Sequence, residues 1–238
     1  MLSFAFGSIP IRVHLSFWFT AAFLGMQNQD PLALIVFIGV VFLSVLLHEL
    51  GHAAMGRAFG LAPQIELYAF GGATSWQGGN ALSSGKRVLI SLAGPFAGLA
   101  VTGITIAVCN AVGLGVVFSD LRFHLVSAAA QPPVSLPLLQ FFAVMLMVNW
   151  LWSLFNLLPI LPLDGGNVMA HTLAAATGGG GRRAAHLISV VVAVIVGAYF
   201  VLVDGNVFAA LWLGLFAFQN IRALQTPKAT PPPARQGW

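Results

Sequence analysis

Residues 41–59 read VFLSVLLHELGHAAMGRAF. The run is long and apolar, yet it holds His48, Glu49 and His52 near its centre and Arg57 near its end. An acid at the middle of an apolar helix costs on the order of 3 kcal/mol on insertion scales, so Glu49 needs a partner or a task. His48 and His52 are four residues apart, which on a helix puts both imidazoles on one face, one turn above the other. Two such nitrogens reach a single zinc ion at about 2.0–2.1 Å. Glu49 lies beside them, able to act as a base without being a ligand. This is the HExxH arrangement of zinc hydrolases. The competing reading is two core histidines and a stray acid. It leaves three desolvated polar groups without a ligand, at roughly 2–7 kcal/mol each.

Composition places that helix in a membrane. The chain has 238 residues, 58% hydrophobic and 7% charged, whereas a soluble domain carries about a quarter charged residues. Six apolar spans run at about 14–26, 32–56, 87–113, 137–158, 185–203 and 207–222. Most approach the roughly 20 residues that cross a bilayer, and the first needs flanking residues or tilt. The expected fold is an all-α polytopic membrane protein of about six transmembrane helices. A small β-hairpin or re-entrant loop is expected after the second, at 63–76 (PQIELYAFGGATSW), from its alternation and Gly71-Gly72. Residues 2–12 read as an extended interfacial segment and 177–181 (TGGGG) as a flexible link. Residues 1–222 form the membrane domain, and 223–238 are expected to be a disordered, Pro-rich cytosolic tail.

Charge location tests the span count. With six spans and both termini inside, Arg12, Arg57, Lys86, Arg87, Arg182, Arg183, Arg222, Lys228 and Arg235 are cytosolic, and only Arg122 lies outside. A wrong count would flip every later loop and scramble this partition. The same bias explains the net charge of +4 without nucleic acid, for which no basic–aromatic patch exists. Cys109, the single cysteine, allows no intrachain disulfide. No small-x-small cleavage site follows the first apolar run, so the N-terminus is not expected to be a cleaved signal peptide.

A catalytic zinc ion takes three protein ligands and leaves one position open. Of six acidic residues, Asp30, Asp120 and Asp204 fall at outer loops or helix ends. Glu66 and Asp164 remain on the inner side. Asp164 follows the fourth span in Leu157-Leu158-Pro159-Ile160-Leu161-Pro162-Leu163-Asp164-Gly165-Gly166, where prolines and glycines oppose a regular helix. The chain there can fold back to the depth of His48 and His52, so Asp164 is the preferred ligand. Glu66 reads as a surface contact or ion pair. His14 and His186 read as interfacial and His124 as an outer-loop residue. His171, seven residues after Asp164, lies within reach of the site in sequence.

HELGH on a transmembrane helix, followed far downstream by Leu163-Asp164-Gly165-Gly166, resembles the site-2 protease family of intramembrane zinc metalloproteases (peptidase family M50). The likeness is to its compact form, without a PDZ or CBS domain, and covers nearly the whole chain. It implies one Zn2+ per chain held by His48, His52 and Asp164, with Glu49 as catalytic base. The family's Asn-Pro-x-Asp-Gly is Leu161-Pro162-Leu163-Asp164-Gly165 here, so its Asn is lost. Asn156, eight residues before Asp164, fits a variant spacing and carries two readings: oxyanion donor, or interhelical hydrogen bond. Gly94-Pro95 resembles a further family feature, with helix packing through Gly94 and Gly98 as the alternative. The resemblance implies hydrolysis of a peptide bond in or near the membrane segment of another protein. It also implies an inner cell membrane location, contact with the lipid bilayer, and regulation by substrate presentation, prior cleavage or a membrane partner. The competing classes are an inactive membrane scaffold and a metal-ion transporter. A transporter should carry polar or acidic residues along several spans, whereas the spans outside the two motifs are nearly free of ionisable groups; a scaffold should have lost a catalytic residue, and none of the four is missing.

Overall fold

The computed structural model describes residues 1–27, 30–77, 82–127, 134–177, 181–203 and 205–225. The chain opens with a hairpin of strands β1 (Leu2–Phe6) and β2 (Ile9–Val13), then the short apolar helix α1 (Leu15–Gly25) and the long helix α2 (Pro31–Ala58). Strands β3 (Ala62–Tyr68) and β4 (Gly71–Gln77) form the hairpin expected after the second span. Helix α3 (Ser84–Ala111), strands β5 (Gly115–Ser119) and β6 (Arg122–Val126), and helices α4 (Leu136–Asn156), α5 (Asp164–Thr177), α6 (Gly181–Leu202) and α7 (Val207–Gln225) complete it.

Helix starts carry their sequence signals. The Asp30 carboxylate accepts from the Leu32 N–H at 3.0 Å with Pro31 in the first turn of α2, and the Ser83 hydroxyl caps α3. Helices α2, α3, α4, α6 and α7 are long and apolar enough to cross a membrane; α1 is apolar but shorter. Large apolar side chains such as Ile35, Phe96, Ile104, Val194, Ile195 and Leu211 stay exposed, while Ser44, Asn149, Ser153, Ser189 and Asn220 are buried. Polar groups turned inward and apolar groups outward suit lipid as the solvent.

Three expectations need correction. The fold is mostly helical, as expected, but holds more strand than one hairpin: residues 2–12, expected to be extended, form the paired strands β1 and β2. Strand β2 then pairs in parallel with β3 through Ile11–Ile65, Arg12–Glu66 and Val13–Leu67, making a sheet ordered β1-β2-β3-β4. Ile9, Ile11 and Val13 on one face of β2 bury against Val45, Ala53, Ile65 and Leu67, an alternation that a strand requires. A second, two-stranded sheet, β5–β6, occupies the loop after α3. Finally, the Asp164-Gly165-Gly166 run is helical. Prolines 159 and 162 do break the chain, but α5 starts at Asp164 itself. A Cβ on Gly165 or Gly166 would collide with backbone atoms of Leu157, Leu158 and Ile160. These glycines act as close-packing residues rather than helix breakers. The link 177–181 and the tail fall mostly outside the described residues; α7 runs to Gln225, past the expected boundary at 222.

Candidate metal centre

Helix α2 brings His48, Glu49 and His52 to one depth, all buried. Their ligand atoms lie within 4.8 Å of one another, a group able to hold a metal ion. Asp164 comes closer still to both imidazoles. Its Oδ2 is 3.1 Å from His48 Nε2 and 3.3 Å from His52 Nε2, and the two Nε2 atoms are 3.2 Å apart. Around a tetrahedral zinc ion with bonds of about 2.0–2.1 Å, neighbouring ligand atoms stand about 3.3–3.4 Å apart. The triangle of donors therefore has nearly the size of one face of that tetrahedron. Two imidazoles and a carboxylate are also donors that zinc accepts.

The surroundings fix the donors' orientation. His52 Nδ1 lies 2.7 Å from the Ile90 carbonyl oxygen. A carbonyl only accepts, so Nδ1 carries the proton and the neutral ring turns its Nε2 lone pair toward the triangle. Metal-ligating histidines are commonly held in this way. His48 Nδ1 is buried and has no hydrogen-bond partner among the described residues. Asp164 sits in the first turn of α5, where the helix dipole favours a carboxylate.

Helix α3 leaves room for the imidazoles. A Cβ on Gly94 would collide with the Nε2 atoms of His52 and His48, whereas one on Gly98 would meet the Ser153 hydroxyl of α4. The two glycines thus separate what the sequence left joined: Gly94 faces the histidines, Gly98 a neighbouring helix.

Strand β4 covers Glu49. Gly72 and Thr74 are two apart and share a face. A Cβ on Gly72 would strike the Glu49 side chain, and Thr74 Oγ1 lies 2.7 Å from Glu49 Oε2 and 3.1 Å from the Glu49 carbonyl oxygen. Glu49 is nine residues from the end of α2, about 13–14 Å along its axis. The hairpin therefore runs alongside the helix as far as the level of Glu49. Thr74 is the contact that sequence reasoning missed, since nothing local ties a strand threonine to a helix glutamate.

The other candidates sort cleanly. Glu66 faces Arg12 across the β2–β3 pairing, with Oε1 3.3 Å from Arg12 Nη1 and Oε2 3.9 Å from His14 Nε2, the expected ion pair. Asn156, the buried last residue of α4, donates through Nδ2 to the Trp152 carbonyl at 2.9 Å. Burial and the charges of Arg87 and Arg182 hold the His171 imidazole below its ordinary value. His124 lies on β6. His186, read as interfacial, has a specific partner: its Nδ1 lies 2.7 Å from Asn220 Oδ1.

Known proteins resemble this chain in fold and in sequence. The solved structure of the site-2 protease from Methanocaldococcus jannaschii superposes with a TM-score of 0.59, covering 97% of this chain and 98% of that one at 19% identity, a likeness of fold. A zinc metalloprotease of the same organism is 26% identical over 170 residues, 70% of this chain and 43% of its own length. A protein of Synechocystis sp. is 31% identical over 132 residues, 55% of this chain and 29% of its own length. The chain thus spans less than half the length of these curated relatives. Residues 36–200, more than half of the chain, match the model of peptidase family M50, and the chain belongs to that family.

Proposed function

We propose that this protein is an intramembrane zinc metalloprotease, cutting a peptide bond in or near the transmembrane segment of another membrane protein. The observation that carries the reading is the triangle of His48 Nε2, His52 Nε2 and Asp164 Oδ2 with sides of 3.1–3.3 Å, and the Glu49 carboxylate beside it. His48, His52 and Asp164 would hold one zinc ion per chain. Bound there, zinc supplies Lewis acidity toward a carbonyl and lowers the pKa of water to about 7.

Glu49 does the proton work. Thr74 holds Oε2, leaving Oε1 beside Gly72, a residue with no side chain to obstruct it. That oxygen takes the proton of the attacking water and returns it to the leaving amine. Asn156 would donate to the developing oxyanion, which requires its amide to exchange the Trp152 carbonyl for substrate. Burial excludes bulk water from Glu49 and both histidines.

A transmembrane helix hides its peptide bonds, so the substrate must be extended where it is cut. Strand β3 is paired on both sides, so the free edge of the sheet at this depth belongs to β4. An unwound substrate adding a strand there would lie next to Glu49. Prolines placed singly along 71–77 should then slow cleavage, and a series with no effect would remove this part of the reading. The reading includes six crossings with both termini cytosolic in an inner cell membrane, and control by substrate presentation, prior cleavage or a membrane partner.

The deciding experiment pairs zinc stoichiometry with cleavage in detergent-purified protein. Wild type should hold about one zinc. Glu49→Gln should keep the zinc and lose proteolysis by about 100- to 10,000-fold, the usual scale for a general base. Near wild-type cleavage by Glu49→Gln would sink the mechanism.

A further inference from the structure

The segment that delivers Asp164 is held by helices that contribute nothing else to the metal centre. Prolines 159 and 162 interrupt the helical ladder, and at membrane depth each backbone group so freed needs a partner. Several are satisfied locally. Ile160 N–H bonds the Leu158 carbonyl, Leu163 N–H the Ile160 carbonyl, and Asn167 Nδ2 the Pro162 carbonyl. Leu161, three residues before Asp164, is tied outward at both ends. Its N–H donates to Ser189 Oγ of α6 at 2.9 Å, and its carbonyl accepts from Asn220 Nδ2 of α7 at 2.6 Å.

Both side chains are fully committed. Ser189 spends its own proton on the Ala185 carbonyl at 2.8 Å, leaving its oxygen to accept from Leu161. Asn220 gives a second bond to the Phe216 carbonyl at 2.8 Å and accepts from His186 Nδ1 at 2.7 Å. Turning the Asn220 amide over would set its oxygen against two carbonyls, so the network admits one orientation. Ser189 and Asn220 are almost wholly buried. Ile160 and Leu163 pack beside these bonds against Ala193, Leu213, Phe216 and Ala217 of the same two helices. Polar residues at such positions in apolar helices are costly unless used.

We propose that Ser189 and Asn220, with His186 behind Asn220, are positioning residues for Asp164: they clamp Leu161 so that the Asp164 carboxylate stands over His48 and His52. The proposal rests on the reading of Asp164 as a zinc ligand. Helices α6 and α7 then tune metal affinity without touching the metal.

The test is zinc affinity of the full-length, detergent-purified chain by chelator competition, with melting followed metal-free and zinc-loaded. Ser189→Ala and Asn220→Leu should each weaken zinc binding about 10- to 100-fold, the range for partners that orient a ligand. Both should also shrink the rise in Tm that zinc produces. Thr105→Val removes another buried hydroxyl, bonded within α3. A loss that was merely structural would act like Thr105→Val, lowering Tm with and without zinc alike and leaving affinity unchanged. Ser189→Ala adds no bulk, so it carries the test alone if Asn220→Leu does not fold. If Asp164→Ala loses zinc while the clamp variants bind like wild type, the clamp is overturned and the reading of the site stands. If Asp164→Ala binds zinc like wild type, both fall.

Discussion

Adding one methyl group at Gly94 should empty the metal centre without unfolding the protein. A Cβ there would overlap His52 Nε2, and would lie 2.6 Å from His52 Cε1 and 2.8 Å from His48 Nε2. Ordinary contact begins at 3.4 Å, so His48 must retreat by about 0.6 Å and His52 by more, in an interior that yields little. His52 cannot retreat freely, because Nδ1 is tied to Ile90 on the same helix as Gly94. Crowding of this kind costs about 1–3 kcal/mol. The gain in helix propensity from Gly to Ala is about 1 kcal/mol, so the metal-free protein should lose roughly 0–2 kcal/mol. Zinc suffers more. On the proposed ligand set, displacing two of the three donors should lower affinity by at least the 10- to 100-fold seen when a ligand's support is lost. Chelator competition and paired melting curves measure both effects. Gly103→Ala is the control, since Gly103 lies on the same helix with nothing within 4 Å of an added Cβ. If Gly94→Ala binds zinc like wild type and melts no lower than Gly103→Ala, the crowding argument is wrong.

Other outcomes follow from the contacts around Glu49 and Glu66. Thr74→Val should cut cleavage about 10- to 100-fold at unchanged zinc content, since a hydrogen bond to a charged group contributes about 1.5–3 kcal/mol; Thr74→Ser should restore most of the rate. An equal loss in Thr74→Ser would mean that the methyl group, not the hydroxyl, matters. Glu66→Gln should leave both zinc stoichiometry and cleavage unchanged, because Glu66 is partnered with Arg12 and His14. That partly exposed pair should contribute no more than about 1 kcal/mol to stability, and zinc loss in Glu66→Gln would reopen the choice of third ligand.

Much of the centre was legible because a membrane makes polar residues conspicuous. Glu49 and the two histidines stood out from an apolar helix, and counting crossings brought Asp164 to their side. What stayed hidden depends on pairings far apart in the chain. Residues 11–13 reveal nothing locally of their partners at 65–67. Gly165 and Gly166 have weak helix propensity, but packing against the turn at Leu157–Ile160 overrides it. Gly94 was noticed, yet only the depth at which α3 crosses α2 decides that it faces imidazoles. The roles of Ser189 and Asn220 lay outside what the sequence reveals, because their partner is a backbone 28 and 59 residues away.

The parallel pairing of β2 with β3 imposes a parity. Strands that share hydrogen bonds lie on the same side of the bilayer, so the chain between them traverses it an even number of times. Only α1 and α2 lie between. If α2 crosses, α1 must cross as well, although its 11 residues cover only about 16–17 Å of a hydrocarbon layer about 30 Å thick. The remaining distance falls to the ends of the sheet and to a locally thinned bilayer. On that parity the strand ladder couples the depth of the hairpin beside Glu49 to the depth of α1, so membrane thickness becomes a variable that reaches the surroundings of the proposed base.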